Sequence, residues 1–243
     1  MDTSKASIIE QLKKDILPLQ GFRSTAGNTA LDASLGAIRY AFPAASFPLG
    51  SMHEFFYGCP EDAAATGGFV SGLLASLMLG GGAAIWISPC VTIFPPALKA
   101  FGISPEKVIF ISLKKEKEIL WAVEEALKCN GLAAVIGEMQ GLSFTVSRRL
   151  QLVVEQSRVT GFIFRNKAIS ENTTACVTRW KINSISSQLP NGMPGVGFPR
   201  WNVSLLKIRN GKPGNWQVEW RGGKFRPITA ASVLMHGQQK KAV

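Results

Sequence analysis

A chain of 243 residues with 46% hydrophobic and 18% charged side chains is long enough for one large domain or two small ones, and its composition excludes wholesale disorder. Its four cysteines (Cys59, Cys90, Cys129, Cys176) form no CxxC pair and read as free thiols; with only two histidines, a zinc site of usual spacing is excluded, and no metal is expected. The net charge of +11 belongs to the second half: residues 1–121 carry ten bases and ten acids, residues 122–243 seventeen and six. That balance points to a polyanion such as nucleic acid, to an acidic protein partner, or to a solvated surface.

Residues 3–17 read as an amphipathic helix, with Ile8, Leu12, Ile16 and Leu19 at helical spacing and Ser7 and Glu10 spaced as a capping box. The start, "MDTSKASIIEQLKK", has no apolar core of a signal peptide, so a cytoplasmic location is expected. Residues 20–48, rich in Gly, Ala, Ser and Pro, read as a linker. The helix and linker together form an expected arm, 1–49, that docks on a neighbouring subunit or partner; packing of the helix on its own domain is the alternative.

From residue 53 strands and helices alternate. Strand 53–57 leads to a helix over 62–79, stopped by Gly80-Gly81-Gly82. Ala83–Ser88 is a continuous apolar run, as in a strand buried on both faces. A short helix near Pro96–Phe101, strand Val108–Ile111, helix Lys115–Cys129, strand Leu132–Ile136, helix Ser143–Arg158 and strand Gly161–Phe164 follow. Such alternation implies right-handed crossovers and a mainly parallel sheet, an α/β fold. Beyond residue 170 the texture is β: strands Ala175–Ile182, Asn202–Arg209 and Trp216–Trp220, the last two joined by the turn "RNGKPGN". The end, 227–243, reads as a loose basic tail. The uncharged run from Asp62 to Lys99 is apolar enough for a membrane span, but its triple glycine cuts it to globular lengths, so no membrane contact is expected.

"YGCPEDAAATGG" (57–68) has the layout of a phosphate-binding loop, strand–glycine–turn–helix, but not its residues. In the pattern G-x-x-x-x-G-K-[ST], Gly58 stands first, and Ala63, Ala64 and Ala65 hold the glycine, lysine and hydroxyl positions, with Thr66 next. Glu61 and Asp62 put two carboxylates where phosphates would sit; they suit a helix N-terminus as caps and would repel a triphosphate. No cofactor is therefore expected. A cysteine catalyst built from Cys59 and His53 lacks an orienting acid.

Taken together, residues 50–226 resemble the RecA ATPase core, a P-loop-NTPase-type fold, here with a degenerate nucleotide site and a β-rich C-terminal edge. In that resemblance "ISPCVTIFPPALKAFGI" (87–103) places Cys90 at the catalytic acid, with Pro95 and Gly102 in register. The magnesium-holding aspartate falls on Gly137 or, one residue on, Glu138 in "LAAVIGEM". "GFIFRN" (161–166) is similar to the next core strand, and "WNVSLLKIRNGKPGNWQVEW" (201–220) to a late basic hairpin. The connections matching the DNA-binding loops, 137–143 and 165–174, look short.

A closer likeness spans most of residues 48–214. "FPLGSMHEF…EDAAATGGF", "WISP…IFPPALKAFGI", "ALKCNGLAAVIGE", "FTVSRRLQLVVEQSRVTGF" and "GMPGVGFPRWNVSLLKIRNGKPG" resemble the bacterial ImuA family. The resemblance implies a non-catalytic accessory protein of damage-induced, error-prone translesion DNA synthesis, an SOS-type function, nucleoid-associated when active. It implies as partners an ImuB-like, Y-family-related protein and an error-prone C-family DNA polymerase. RecA and single-stranded DNA, bound without sequence preference, are further expected partners. Two alternatives stand beside it: a DNA-stimulated ATPase using Thr66 and Glu138, and a SulA-like regulator of RecA or a cell-division protein.

The expected DNA surface comes from alternation in the C-terminal strands. If tryptophans 180, 201 and 220 face inward, then Arg179, Lys181, Lys207 and Arg209 face solvent, joined by Lys212, Lys224 and Arg226. Arg148 and Arg149 are further candidates. Core tryptophans behind an ordinary solvated face are the simpler reading of any single pair.

Overall fold

A computed structural model of the chain describes residues 7, 8, 11, 12, 29–166, 172–189 and 195–228. Ser7, Ile8, Gln11 and Leu12 are helical and exposed, the fragment of the expected first helix that lies within the described residues. The basic tail beyond residue 228 lies outside them.

Nine strands form one sheet in the order β3-β2-β4-β5-β1-β6-β7-β8-β9. They are β1 Met52–Tyr57, β2 Ala83–Ser88, β3 Val108–Ser112, β4 Leu132–Glu138, β5 Thr160–Asn166, β6 Thr178–Ile185, β7 Arg200–Ile208, β8 Gly214–Arg221 and β9 Lys224–Pro227. β1 to β6 pair in parallel; β6 to β9 form an antiparallel meander. Among the described residues from 29 onwards, four α-helices accompany them: α1 Thr29–Leu35, α2 Pro60–Leu77, α3 Glu116–Leu127 and α4 Phe144–Ser157. The strand–helix alternation of 53–164 is thus present, and the expected β-rich edge gains a fourth strand, β9, too short and too charged to stand out.

Two cores lie on opposite faces of the sheet. One packs α1 and α2 over Phe55, Trp86, Phe162, Phe164, Trp180, Trp201 and Trp220. The other packs α3 and α4 over Met52, Ile87, Val135 and Ile163. α2 serves the larger core because its middle is stripped of side chains. A Cβ on Gly68 would lie 2.9 Å from Trp201, and one on Gly72 would lie 2.6 Å from Phe225 and 2.9 Å from Trp220. Each helical glycine costs about 1 kcal/mol of helix propensity relative to alanine. In return the aromatic rings lie directly on the helix backbone, with Trp220 and Phe225 centroids 4.8 Å apart. The apolar run 62–98 is therefore a core helix and an interior strand, and most of that helix is buried.

The linker expectation fails for residues 29–48. α1 is followed by 3-10 turns at Gly36–Ala41 and Pro43–Ala45, and Leu31, Leu35 and Ile38 are fully buried. Asp32 Oδ1 accepts the Phe47 amide at 2.9 Å, and the Lys212 amide donates to the Ala41 carbonyl at 2.9 Å. The segment is a plate over the core rather than an arm. His53 anchors its end: one ring nitrogen meets the Pro48 carbonyl at 2.9 Å, the other Thr178 Oγ1 at 2.7 Å.

A candidate ligand cleft at the carboxyl ends of the strands

The parallel strands all end on one side, where their turns enclose a cleft of about 1130 Å³. Its floor is the first half of α2 and the end of β4; Trp86, Ile93, Leu98, Phe101, Phe164 and Trp201 supply apolar walls. Open α/β sheets place ligand sites at this edge.

The head of α2 builds one wall. Cys59 takes an extended backbone at the N-cap, Pro60 starts the helix, and Glu61 and Asp62 occupy its first turn. Glu61 meets the expectation in part: hydrogen bonds from its own first-turn amide and from the Cys59 thiol hold its carboxyl below its ordinary value. Glu61 is exposed, while Asp62 accepts from Asn183 Nδ2 at 2.7 Å and from the Ser184 amide at 3.0 Å, pinning the helix head to β6. Ala63 is half-buried and Ala64 exposed along the cleft; Ala65 is buried. Thr66 is fully buried and donates its hydroxyl to the Asp62 carbonyl at 2.7 Å, which corrects its placement as a ligand-facing group. Gly58 and Cys90 line the rim, and Ser88 Oγ donates to the Cys90 carbonyl at 2.8 Å.

These residues do not fit a nucleoside triphosphate. The turn offers phosphates no lysine, its helix head carries two carboxylates, and one of those is tied into β6 where the phosphates would need the space.

Gly137 and Glu138 separate cleanly. A Cβ on Gly137 would lie 2.6 Å from Val123 Cγ2, so that position faces α3, away from the cleft. Glu138, next along the strand, faces the opposite way and lines the cleft. Burial pushes its carboxyl up to about 7. Burial, and then the Glu138 charge, push the Tyr57 hydroxyl up to about 12. Nearby cations are engaged elsewhere: Lys114 Nζ donates to the Pro89 carbonyl at 3.2 Å, and Arg200 Nε pairs with Glu219 at 2.7 Å.

A second constellation escaped the sequence reading. Glu54 on β1 is fully buried on the α4 side and holds two guanidinium groups: Arg165 Nη1 at 2.7 Å and Arg179 Nε at 2.9 Å. Thr174 Oγ1 donates to the same carboxylate at 3.0 Å, and both arginines lie over the Phe56 ring. Arg165 Nε reaches the Gln140 carbonyl at 3.2 Å, Arg179 Nη2 the Asn172 carbonyl at 2.9 Å, and Asn172 Nδ2 the Leu142 carbonyl at 2.9 Å. The connection after β4 and the described part of the one after β5, from Asn172 on, are thereby bound to the sheet and to each other. A lone acid in an apolar strand, "HEFFY", was the available signal.

That network removes Arg179 from the free basic surface. Lys207, half-buried, donates to the Thr174 carbonyl at 2.8 Å, and burial lowers its ammonium; Arg209 donates to the Ala175 carbonyl at 3.2 Å. Arg149 pairs with Glu124 at 2.8 Å, and Arg148 stands exposed on α4. Lys181, Lys212, Lys224 and Arg226 are exposed. Cross-strand register puts Lys181 beside Ser204 and Asn215, and Arg200 beside Glu219 and Arg226. This polar face of β6–β9 backs the tryptophan core; of the four bases expected on it Lys181 is exposed, while Arg179, Lys207 and Arg209 are part-buried and bonded to the sheet's own connections.

The fold is that of the RecA-like proteins: a crystal structure of the RadB recombinase matches with a TM-score of 0.56 at 11% identity, covering 82% of this chain and all of that one. No protein-family model matches the chain. Protein ImuA from two strains of Caulobacter vibrioides is 32% identical over 207 residues, 79% of this chain and 85% of the relative. The chain belongs to the ImuA family.

Proposed function

We propose that the protein is a non-catalytic accessory component of error-prone, damage-induced DNA synthesis. It would use a RecA-like body as a scaffold between an ImuB-like, Y-family-related partner, an error-prone C-family polymerase and DNA. Family membership ties the chain to error-prone DNA repair. The observation that carries the non-catalytic role is the head of α2, where alanine replaces the phosphate-binding lysine beside two carboxylates. Burial of Thr66 against its own helix weighs against an ATPase built on that residue.

DNA contact is assigned to the exposed cationic residues of the β6–β9 side, Lys181, Lys212, Lys224 and Arg226, which belong to no base-reading motif and would contact phosphates. The test is fluorescence anisotropy with labelled single-stranded DNA over a salt series, with and without ATP and magnesium. Affinity that falls with salt and is indifferent to ATP is expected. Binding that requires ATP, or a rise in melting temperature with millimolar ATP and magnesium, would overturn the non-catalytic reading. DNA indifference at low salt would leave the charge to an acidic protein partner.

A further inference from the structure

The cleft at the head of α2 keeps nucleotide-like dimensions after losing the groups that hold phosphate. At about 1130 Å³ it exceeds the usual 300–1,000 Å³ of small-molecule pockets. The loop that supplies Thr92 and Ile93 to its lining also carries apolar side chains in the open just outside it: Val91 is 47% exposed and Phe94 69%. A small ion could cover neither. Exposed apolar groups beside a concave, apolar-walled cleft are what a protein segment covers.

The charge inside is the opposite of the chain's own. Glu138 lies in the cleft without a hydrogen bond or ion pair to any described residue. The groups around it do not satisfy it. Tyr57 on β1 and Cys59 are neutral; Glu61 at the helix head is a like charge. Glu116 at the start of α3 spends one oxygen on the Gln140 and Gly141 amides. Lys114 and Arg200 are bonded elsewhere. A desolvated acid without a structural partner is a marker of a binding site.

We infer that this cleft docks an extended segment of a partner protein, one that presents a lysine or arginine between apolar side chains, with the cation seated on Glu138. The inference rests on the adaptor reading, since it gives that adaptor its groove. The small residues of α2, Ala63, Ala64, Gly67 and Gly68, leave room for the segment against the helix. The cation would stabilise ionised Glu138, so binding expels its proton. With a carboxyl near 7, affinity should rise by about tenfold from pH 6 to pH 8.

The experiment is biolayer interferometry of the full chain against the purified polymerase-related partner at both pH values. Wild type is compared with Glu138→Gln and with Ala64→Arg, which brings a competing cation into the cleft from an exposed helix position. Melting curves establish that each variant is folded. The expected result is a pH-dependent affinity in wild type, no pH dependence in Glu138→Gln, and at least a tenfold loss in Ala64→Arg. Tiled peptides from the partner should compete only where a base lies among apolar residues. Equal binding by wild type and both folded variants would overturn the groove and leave the adaptor role intact. Failure of wild type to bind the partner at either pH would overturn both.

Discussion

His53 and Glu138 are both desolvated, and burial drives them in opposite directions. The imidazole is pushed down to about 3, and the carboxyl up to about 7. For His53 the folded state stays neutral while the unfolded chain takes a proton below pH ~6.5, so its contribution is lost as pH falls from there towards 3. For Glu138 the folded state holds a proton that the unfolded chain has released, so stability declines as pH rises from about 4.5 through 7. Between about pH 4.5 and 6.5 the two slopes oppose each other. Wild type should therefore show a nearly flat melting temperature across that window and a fall below it. Glu138→Gln should remove one slope, so that melting temperature climbs with pH up to about 6.5, and it should melt higher than wild type at pH 8. A variant that tracks wild type at every pH would mean that Glu138 titrates as an ordinary surface acid.

At the scale of elements, much was legible from residues 53 to 164, because buried parallel strands are continuous apolar runs and the helices between them are bounded by glycine, proline and charge. Ala83–Ser88 was placed to the residue for that reason. α1 was not legible. Leu31, Leu35 and Ile38 have helical spacing, but glycine, alanine and serine separate them, and only the partner surfaces on α2 and β9 make the helix stable. Burial decides between plate and arm, and substitution tests it. Leu35→Ala should cost about 2–5 kcal/mol in urea unfolding, as for a leucine in a packed core; a loss below about 0.5 kcal/mol would restore the arm. At the cleft, the missing lysine could be read directly. The seating of Glu138 rather than Gly137 could not, because strand parity at β4 depends on which face α3 covers. The anchoring of Asp62 to Asn183 joins residues far apart in the chain, and no local pattern reports it.

On the scale of the molecule, the sheet is divided in its cover as well as in pairing. Helices cover both faces of the parallel half, whereas among the described residues no helix of the α3–α4 side packs on β7, β8 or β9. The uncovered face alternates polar with buried side chains, Lys181, Ser204 and Asn215 in one cross-strand row. On the scaffold proposal such a face would meet nucleic acid chiefly through phosphates, with Phe198, 38% exposed under the Arg221 guanidinium, as the exposed ring beside β8. Each lysine in contact contributes about 0.7 to the salt slope for a single strand. Replacing Lys181, Lys212 and Arg226 together by glutamate should flatten the slope by about 2 and leave the melting temperature within a few degrees. The same change at Arg179 would break the Glu54 network instead, so an unfolded protein there says nothing about DNA. An unchanged slope in the triple variant would remove this face from the DNA-binding reading.

The contact of α1 with β9 sets an order in time. Phe225, near the end of the described chain, lies against Gly72 of α2, and its carbonyl faces Gly36 just after α1. At roughly 5–20 residues per second, a ribosome needs about 10–40 s to go from Leu31 to Phe225. Throughout that interval the aromatic bed around Trp201 and Trp220 lacks its last ring, and the plate over it lacks its seal. A message truncated before β9 would release a chain with that bed open, a substrate for proteases and chaperones rather than a shorter scaffold. The fold is thus closed by its last strand, β9, and the yield of folded protein depends on complete transcripts.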